Sequence, residues 1–102
     1  MELKPGLRLE SATCDTQVVV VRAPKEATDV DVRCGGHPMR DLGTGGDRLA
    51  LTGEGDATLL GKRYADEELG VEVLCTKAGS GTLAVDGRPL AIKTAKPLPA
   101  SD

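Results

Sequence analysis

The chain of 102 residues has no phenylalanine and no tryptophan; Tyr64 is its only aromatic residue and His37 its only histidine. Without aromatic platforms, base stacking on single-stranded nucleic acid is not expected. Thirteen Lys plus Arg against 16 Asp plus Glu give a net charge of −3, so no basic surface is indicated for phosphates or anionic lipid. No apolar run approaches the length that spans a bilayer. The opening MELKPGLRLE has neither the apolar core nor the cleavage pattern of a secretory signal, so a cytoplasmic protein with reduced thiols is expected. An interior without large aromatics must be built from Val, Leu, Ala and Cys, and aliphatic, β-branched interiors suit strands packed on strands.

What the chain does have is an internal echo. GLRL, a valine-rich run and CGGHPM within residues 6–39 are answered by GKRY, VEVLCTKAG and VDGRPL within residues 61–90. Matching Gly6 with Gly61 also matches Arg8 with Arg63, Val18 with Val73, Arg22 with Lys77 and Ala23 with Ala78. After a connection that is longer in the first copy, Gly36 falls on Gly87, Pro38 on Pro89 and Met39 on Leu90. An ordered series with one length change points to two like units packed as an internal pair. The expected layout is a first repeat over 1–39, a connection over 40–60 with room for one extra strand, a second repeat over 61–92 and a flexible tail over 93–102.

The apolar pattern reads β throughout, with no sustained helical period. Gln17 to Arg22 is a β-branched run, Val30 to Arg33 alternates, and Val71 to Thr76 repeats the first run. Thr82 to Val85, Asp86-Gly87 and Arg88 to Ile92 form a hairpin signal, because Asp-Gly tolerates the positive φ angles of a tight primed turn; Pro89 then belongs at an edge or just past the turn. The tail KTAKPLPASD carries two prolines and small polar residues, and reads either as frayed chain or as a short docking peptide.

Chemistry-bearing residues are few. Cys14, Cys34 and Cys75, with His37 three residues beyond Cys34, are the residue types of a three-cysteine, one-histidine zinc shell. The repeat argues against Cys75 as a ligand: it takes the place of Val20 in mid-strand, where a small apolar side chain is wanted. His37 is matched by Arg88, which points to an exposed polar turn position. GTGG at 43–46 and GSG at 79–81 lack the Gly-Lys-Ser/Thr ending of a phosphate loop and read as turn glycines. No Gly-x-Ser-x-Gly elbow is present, and no carboxylate is placed to orient His37 for Ser-His-Asp chemistry. Asp66, Glu67 and Glu68 read as a solvated turn.

The order Cys14-Asp15-Thr16-Gln17, then VVVVRAP, then VRCGGHPM resembles the desulforedoxin family, the small rubredoxin-like unit also found at the N-terminus of desulfoferrodoxin. The resemblance implies an all-β, duplicated desulforedoxin-like fold forming a pseudo-dimer within one chain, and a four-thiolate iron site. On the family's pattern Ser11 and Cys14 lie on the first and second cysteines of one turn, Cys34 and Gly35 on the adjacent pair, and Gly36 and Met39 on the rest of the second motif. In the second copy the four ligand positions hold Asp66, Leu69, Val85 and Asp86. A rubredoxin-type site needs four soft thiolates, and two remain. Superoxide reduction, as in the second domain of desulfoferrodoxins, implies several histidines, and this chain has one. The expected function is therefore a non-catalytic accessory or protein-interaction module with no favoured cofactor, its partner another protein or a second copy in a homo-dimer, and with neither nucleic acid nor membrane as partner. The alternative is a metal-binding or thiol-redox protein using Cys14 and Cys34, with His37 as a further metal ligand for zinc or iron, or with the site completed by a second chain.

Overall fold

The β-branched runs become strands, and so do shorter segments that carry no such signal. In the computed structural model, which describes residues 2–24, 29–53 and 55–93, the first half contains β1 (Arg8–Glu10), β2 (Gln17–Arg22), β3 (Val32–Cys34), β4 (His37–Pro38) and β5 (Arg40–Asp41). The second half contains β6 (Arg63–Asp66), β7 (Val71–Lys77), β8 (Leu83–Val85), β9 (Arg88–Pro89) and β10 (Ala91–Ile92). The protein is all-β, with two antiparallel sheets ordered β10-β6-β7-β2-β1-β5 and β4-β3-β8-β9. Among the described residues no helix is long and apolar enough to cross a membrane.

Period-2 alternation turns one face of each sheet inward. Val18 and Val20 of β2 and Val71, Val73 and Cys75 of β7 meet Val32 and Cys34 of β3 and Leu83 and Val85 of β8 in one buried cluster, joined by Leu9, Met39, Tyr64 and Leu90. Leu9, Val73, Cys34 and Val85 are 0% exposed, so aliphatic side chains and a thiol fill the centre as the composition requires.

Both sheets read the same from either end when β1 to β5 are matched to β6 to β10. The registers agree: Val18 faces Cys75 as Val20 faces Val73, and Val32 faces Val85 as Cys34 faces Leu83. The hydrogen bonds agree as well. Gly6 N–H donates to Val20 O and Gly61 N–H to Cys75 O; Met39 N–H donates to Val32 O and Leu90 N–H to Leu83 O; Gly35 N–H donates to Thr82 O and Asp86 N–H to Asp31 O.

Two sequence expectations are modified. The strand expected over Val30 to Arg33 begins at Val32 and ends at Cys34, where the Gly35-Gly36 turn starts. The hairpin around Asp86-Gly87 forms, with Asp86 at φ 49° and Pro89 on the edge strand β9, but its second arm does not run on to Ile92. It breaks at Leu90, whose side chain turns into the core, and β10 crosses to pair with β6 in the other sheet. Among its described residues, the connection over 40–60 holds β5 and the bridge of Thr58 to Gly79. Of the expected tail, residues 94–102 lie outside the described residues.

Candidate functional site

Between β1 and β2 the chain turns through Ser11 to Thr16, and the turn is organised by Ser11. Its Oγ accepts the backbone N–H of Thr13 at 3.0 Å and of Cys14 at 3.2 Å, while its own N–H donates to Thr16 O at 2.9 Å. A short hydroxyl side chain that bonds the backbone two and three residues on is a standard way to close such a turn. In the second half Asp66 has the corresponding role, its Oδ1 accepting Leu69 N–H at 3.2 Å. The turn holds Cys14 half-exposed, and Thr13 Oγ1 donates to Cys34 O at 3.1 Å, tying it to the end of β3.

The two sulfurs meet there: Cys14 Sγ lies 3.9 Å from Cys34 Sγ. Cys14 Sγ also hydrogen-bonds with Ser11 Oγ at 3.4 Å and Thr16 Oγ1 at 3.2 Å, and Gly81 N–H donates to it at 3.4 Å. Residues 79–81 press directly on the pair. A Cβ on Gly79 would lie 2.2 Å from Thr16 Oγ1, and one on Gly81 would lie 2.9 Å from Cys34 Sγ and from Gly35 N. Thr58, 1% exposed, holds this lip down by donating its hydroxyl to Gly81 O at 2.7 Å and through the bridge to Gly79.

The two thiols differ in their electrostatics. Partial burial pushes the Cys14 thiol up, but the hydrogen bonds of the Ser11 and Thr16 side chains and of the Thr16 and Gly81 backbone together outweigh it and bring it down to about 6. Burial, followed by the charge of the neighbouring Cys14, pushes Cys34 up to about 11, against the opposing hydroxyls of Thr16 and Ser11. The arrangement pairs a half-exposed thiol of lowered value with a buried thiol of raised value. Cys75, also raised by burial, donates its Sγ–H to Lys77 O at 3.2 Å within its strand and packs in the core.

Outside Cys14 the surface forms a small cleft of about 120 Å³, lined among others by Ser11, Thr16, Asp15, Arg48 and Lys77, with a wholly polar exposed lining. Arg48 reaches Asp15 at 2.9 Å across its rim. His37 stands across the Gly35-Gly36 turn from Cys34 in the β3–β4 register, and among the described residues no three His, Cys, Asp or Glu side chains converge as a metal set.

A four-thiolate iron does not fit these residues. Ser11 supplies an oxygen where the resemblance implies a sulfur, and Gly35 supplies no side chain. The space a Cβ at position 35 would take is filled: it would lie 2.2 Å from Thr13 Oγ1 and 2.5 Å from Leu51 Cδ1, at a backbone φ of +67°. In the second half, Asp66 is paired instead with Arg88 at 3.1 Å.

The sequence pointed to Cys14 and Cys34, and the structure brings them together. Thr58, Gly79 and Gly81 carried no sequence signal for the site, because their part in it depends on the loop after β7 folding back over the turn before β2. No protein-family model matches this chain, and neither a curated protein nor a solved structure matches it significantly.

Proposed function

We propose that the chain is a dithiol redox protein on a duplicated, desulforedoxin-like β scaffold whose metal site has been reduced to a thiol pair. Cys14 is the accessible, attacking thiol and Cys34 the buried thiol that closes the disulfide. The observation that carries this reading is the 3.9 Å approach of the two sulfurs beneath a set of donors that favour the Cys14 thiolate. A disulfide needs about 2.05 Å between sulfurs, so the pair must close by roughly 2 Å, a shift within reach of side-chain rotation and small turn movements. Support for a duplicated scaffold comes from the mirrored strand order and the recurring hydrogen bonds of the two halves. The desulforedoxin likeness rests on the positions of Ser11, Cys14, Cys34, Gly36 and Met39.

A test follows from the three cysteines. In a glutathione redox series, wild type and Cys75→Ser are expected to lose two thiols together and to regain them on reduction, whereas Cys14→Ser and Cys34→Ser each abolish the intramolecular step. Equal behaviour of all four proteins would sink the reading.

An interaction role has one observation of its own. A larger, mainly apolar groove of about 620 Å³ lies beside the edge strand β10, lined among others by Leu59, Tyr64, Leu90 and Ile92. An edge strand with an adjoining apolar groove has the elements for adding a partner's strand. Competition by extended apolar peptides, read by chemical-shift changes confined to these residues, tests it.

A further inference from the structure

We infer that the oxidant of this thiol pair is a small hydroperoxide, taken up in the cleft over Cys14. The inference rests on the dithiol reading and adds the substrate class.

The cleft is about 120 Å³, open and polar. Hydrogen peroxide, a polar molecule no larger than about two waters, is of a size to enter it against Cys14. The cleft's lining, which includes Asp15, Arg48 and Lys77, is polar and suits a small polar oxidant. Peroxide cleavage also needs what the cleft supplies. As the O–O bond lengthens, negative charge develops on the departing oxygen, and placed donors or cations stabilise it. Arg48 and Lys77 line the cleft beside Cys14, and the Thr16 hydroxyl lies 3.2 Å from the sulfur.

The steps balance. The Cys14 thiolate attacks one peroxide oxygen; an S–O bond forms, the O–O bond breaks, and the departing hydroxide or alkoxide takes a proton from solvent. Cys14 is then a sulfenic acid. Cys34 attacks Cys14 Sγ, forming the S–S bond and expelling the sulfenic oxygen, which leaves as water with the Cys34 proton. Two thiols and one hydroperoxide yield one disulfide, one alcohol or water, and one further water. Ionisation of Cys14 alone does not account for a fast reaction. At pH 7 a thiol at about 6 holds about thirty-fold more thiolate than an ordinary cysteine, but its lower basicity returns about tenfold of that. The donors around the cleft must provide the rest.

The experiment mixes the reduced full-length chain with hydrogen peroxide and, separately, with oxidised glutathione, and follows the Cys14–Cys34 linkage by mass after an acid quench. The expected result is a peroxide rate constant at least about thirty-fold above free cysteine at pH 7, a slower reaction with oxidised glutathione, and a dimedone adduct on Cys14 in Cys34→Ser and in Cys34→Ala. Thr16→Val is expected to slow the peroxide reaction about tenfold or more, and Thr16→Ser to restore it. Oxidation by glutathione disulfide with a peroxide rate no better than free cysteine overturns the peroxide assignment and leaves the dithiol reading standing. Failure of both oxidants to link Cys14 to Cys34 overturns the peroxide assignment and the dithiol reading together.

Discussion

At the scale of single residues, the two cysteines are separated by their hydrogen bonds and burial. Alkylation by iodoacetamide reads the thiolate, so Cys14 modification is expected to rise with a midpoint near pH 6 and to level off by neutrality, while Cys34, 0% exposed, stays unmodified in the native protein. The linkage has a definite sign. A group whose value is depressed on folding contributes stability above its unfolded value, and that contribution is lost as pH falls through about 6. A Cys14→Ser variant should therefore show a flatter stability profile between about pH 6 and 9 than wild type, read by thermal melts across that window. Gly81 tests the lip. Gly81→Ala puts a Cβ 2.9 Å from Cys34 Sγ and from a backbone nitrogen that cannot swing aside, and is expected to cost about 1–3 kcal/mol by denaturant titration.

At the scale of elements, β2 and β7 form the middle of the larger sheet and hold the apolar centre. Leu9→Ala, beside them on β1 and 0% exposed, is expected to cost about 2–5 kcal/mol, and Leu60→Ala, 65% exposed, less than about 0.5. Across β6 from β10, Glu72 of β7 lies almost buried, its side chain 4% exposed, and bonds Lys93 Nζ at 2.8 Å and Arg63 NH1 at 3.3 Å. The bond to Lys93 holds the carboxyl below its usual value against the opposing effect of burial, with the charges of Lys93, Arg63 and Arg22 adding to it. Its stabilisation is present above the unfolded value near 4.5 and fades as pH falls further. Glu72→Gln is expected to lower the thermal midpoint at neutral pH and to reduce its drop on acidification; an unchanged midpoint at pH 7 would refute the role.

The elements differ in how far the sequence announced them. Gln17 to Arg22 and Val71 to Thr76 were legible because β-branched residues alternate there. Leu9 and Tyr64 sit on β1 and β6, each a short strand of mostly polar residues, and nothing in their local pattern marks them as paired. Asp86-Gly87 announced its turn through backbone preference, whereas the break at Leu90 is set by the core into which that side chain turns.

At the scale of the whole molecule, the correspondence of the halves and the divergence of their sites belong together. The same turn is built on Ser11 in one half and Asp66 in the other, yet only the first sets cysteines against it. In the second, Leu69 packs against the core while Arg88 bridges Asp66 and Glu68. At this turn the first half carries a pair of thiols and the second carries ion pairs and a packed leucine. Cys14 and Cys34 could be picked out by the resemblance, and Cys75 set aside by matching repeats, but the lip of Gly79 and Gly81, with Thr58 beneath, comes from chain more than 40 residues away from Cys14 and is visible only in three dimensions.

The reversible dithiol proposed for Cys14 and Cys34 can be read directly. The direct measurement is an equilibrium titration of the full chain in glutathione buffers, quenched with acid and alkylated after denaturation, with the Cys14–Cys34 peptide quantified by mass. One reversible two-electron transition is expected, in which that linkage appears and disappears while Cys75 is alkylated throughout. Linkages through Cys75 or between chains, or no linkage of Cys14 to Cys34 anywhere in the series, would contradict it.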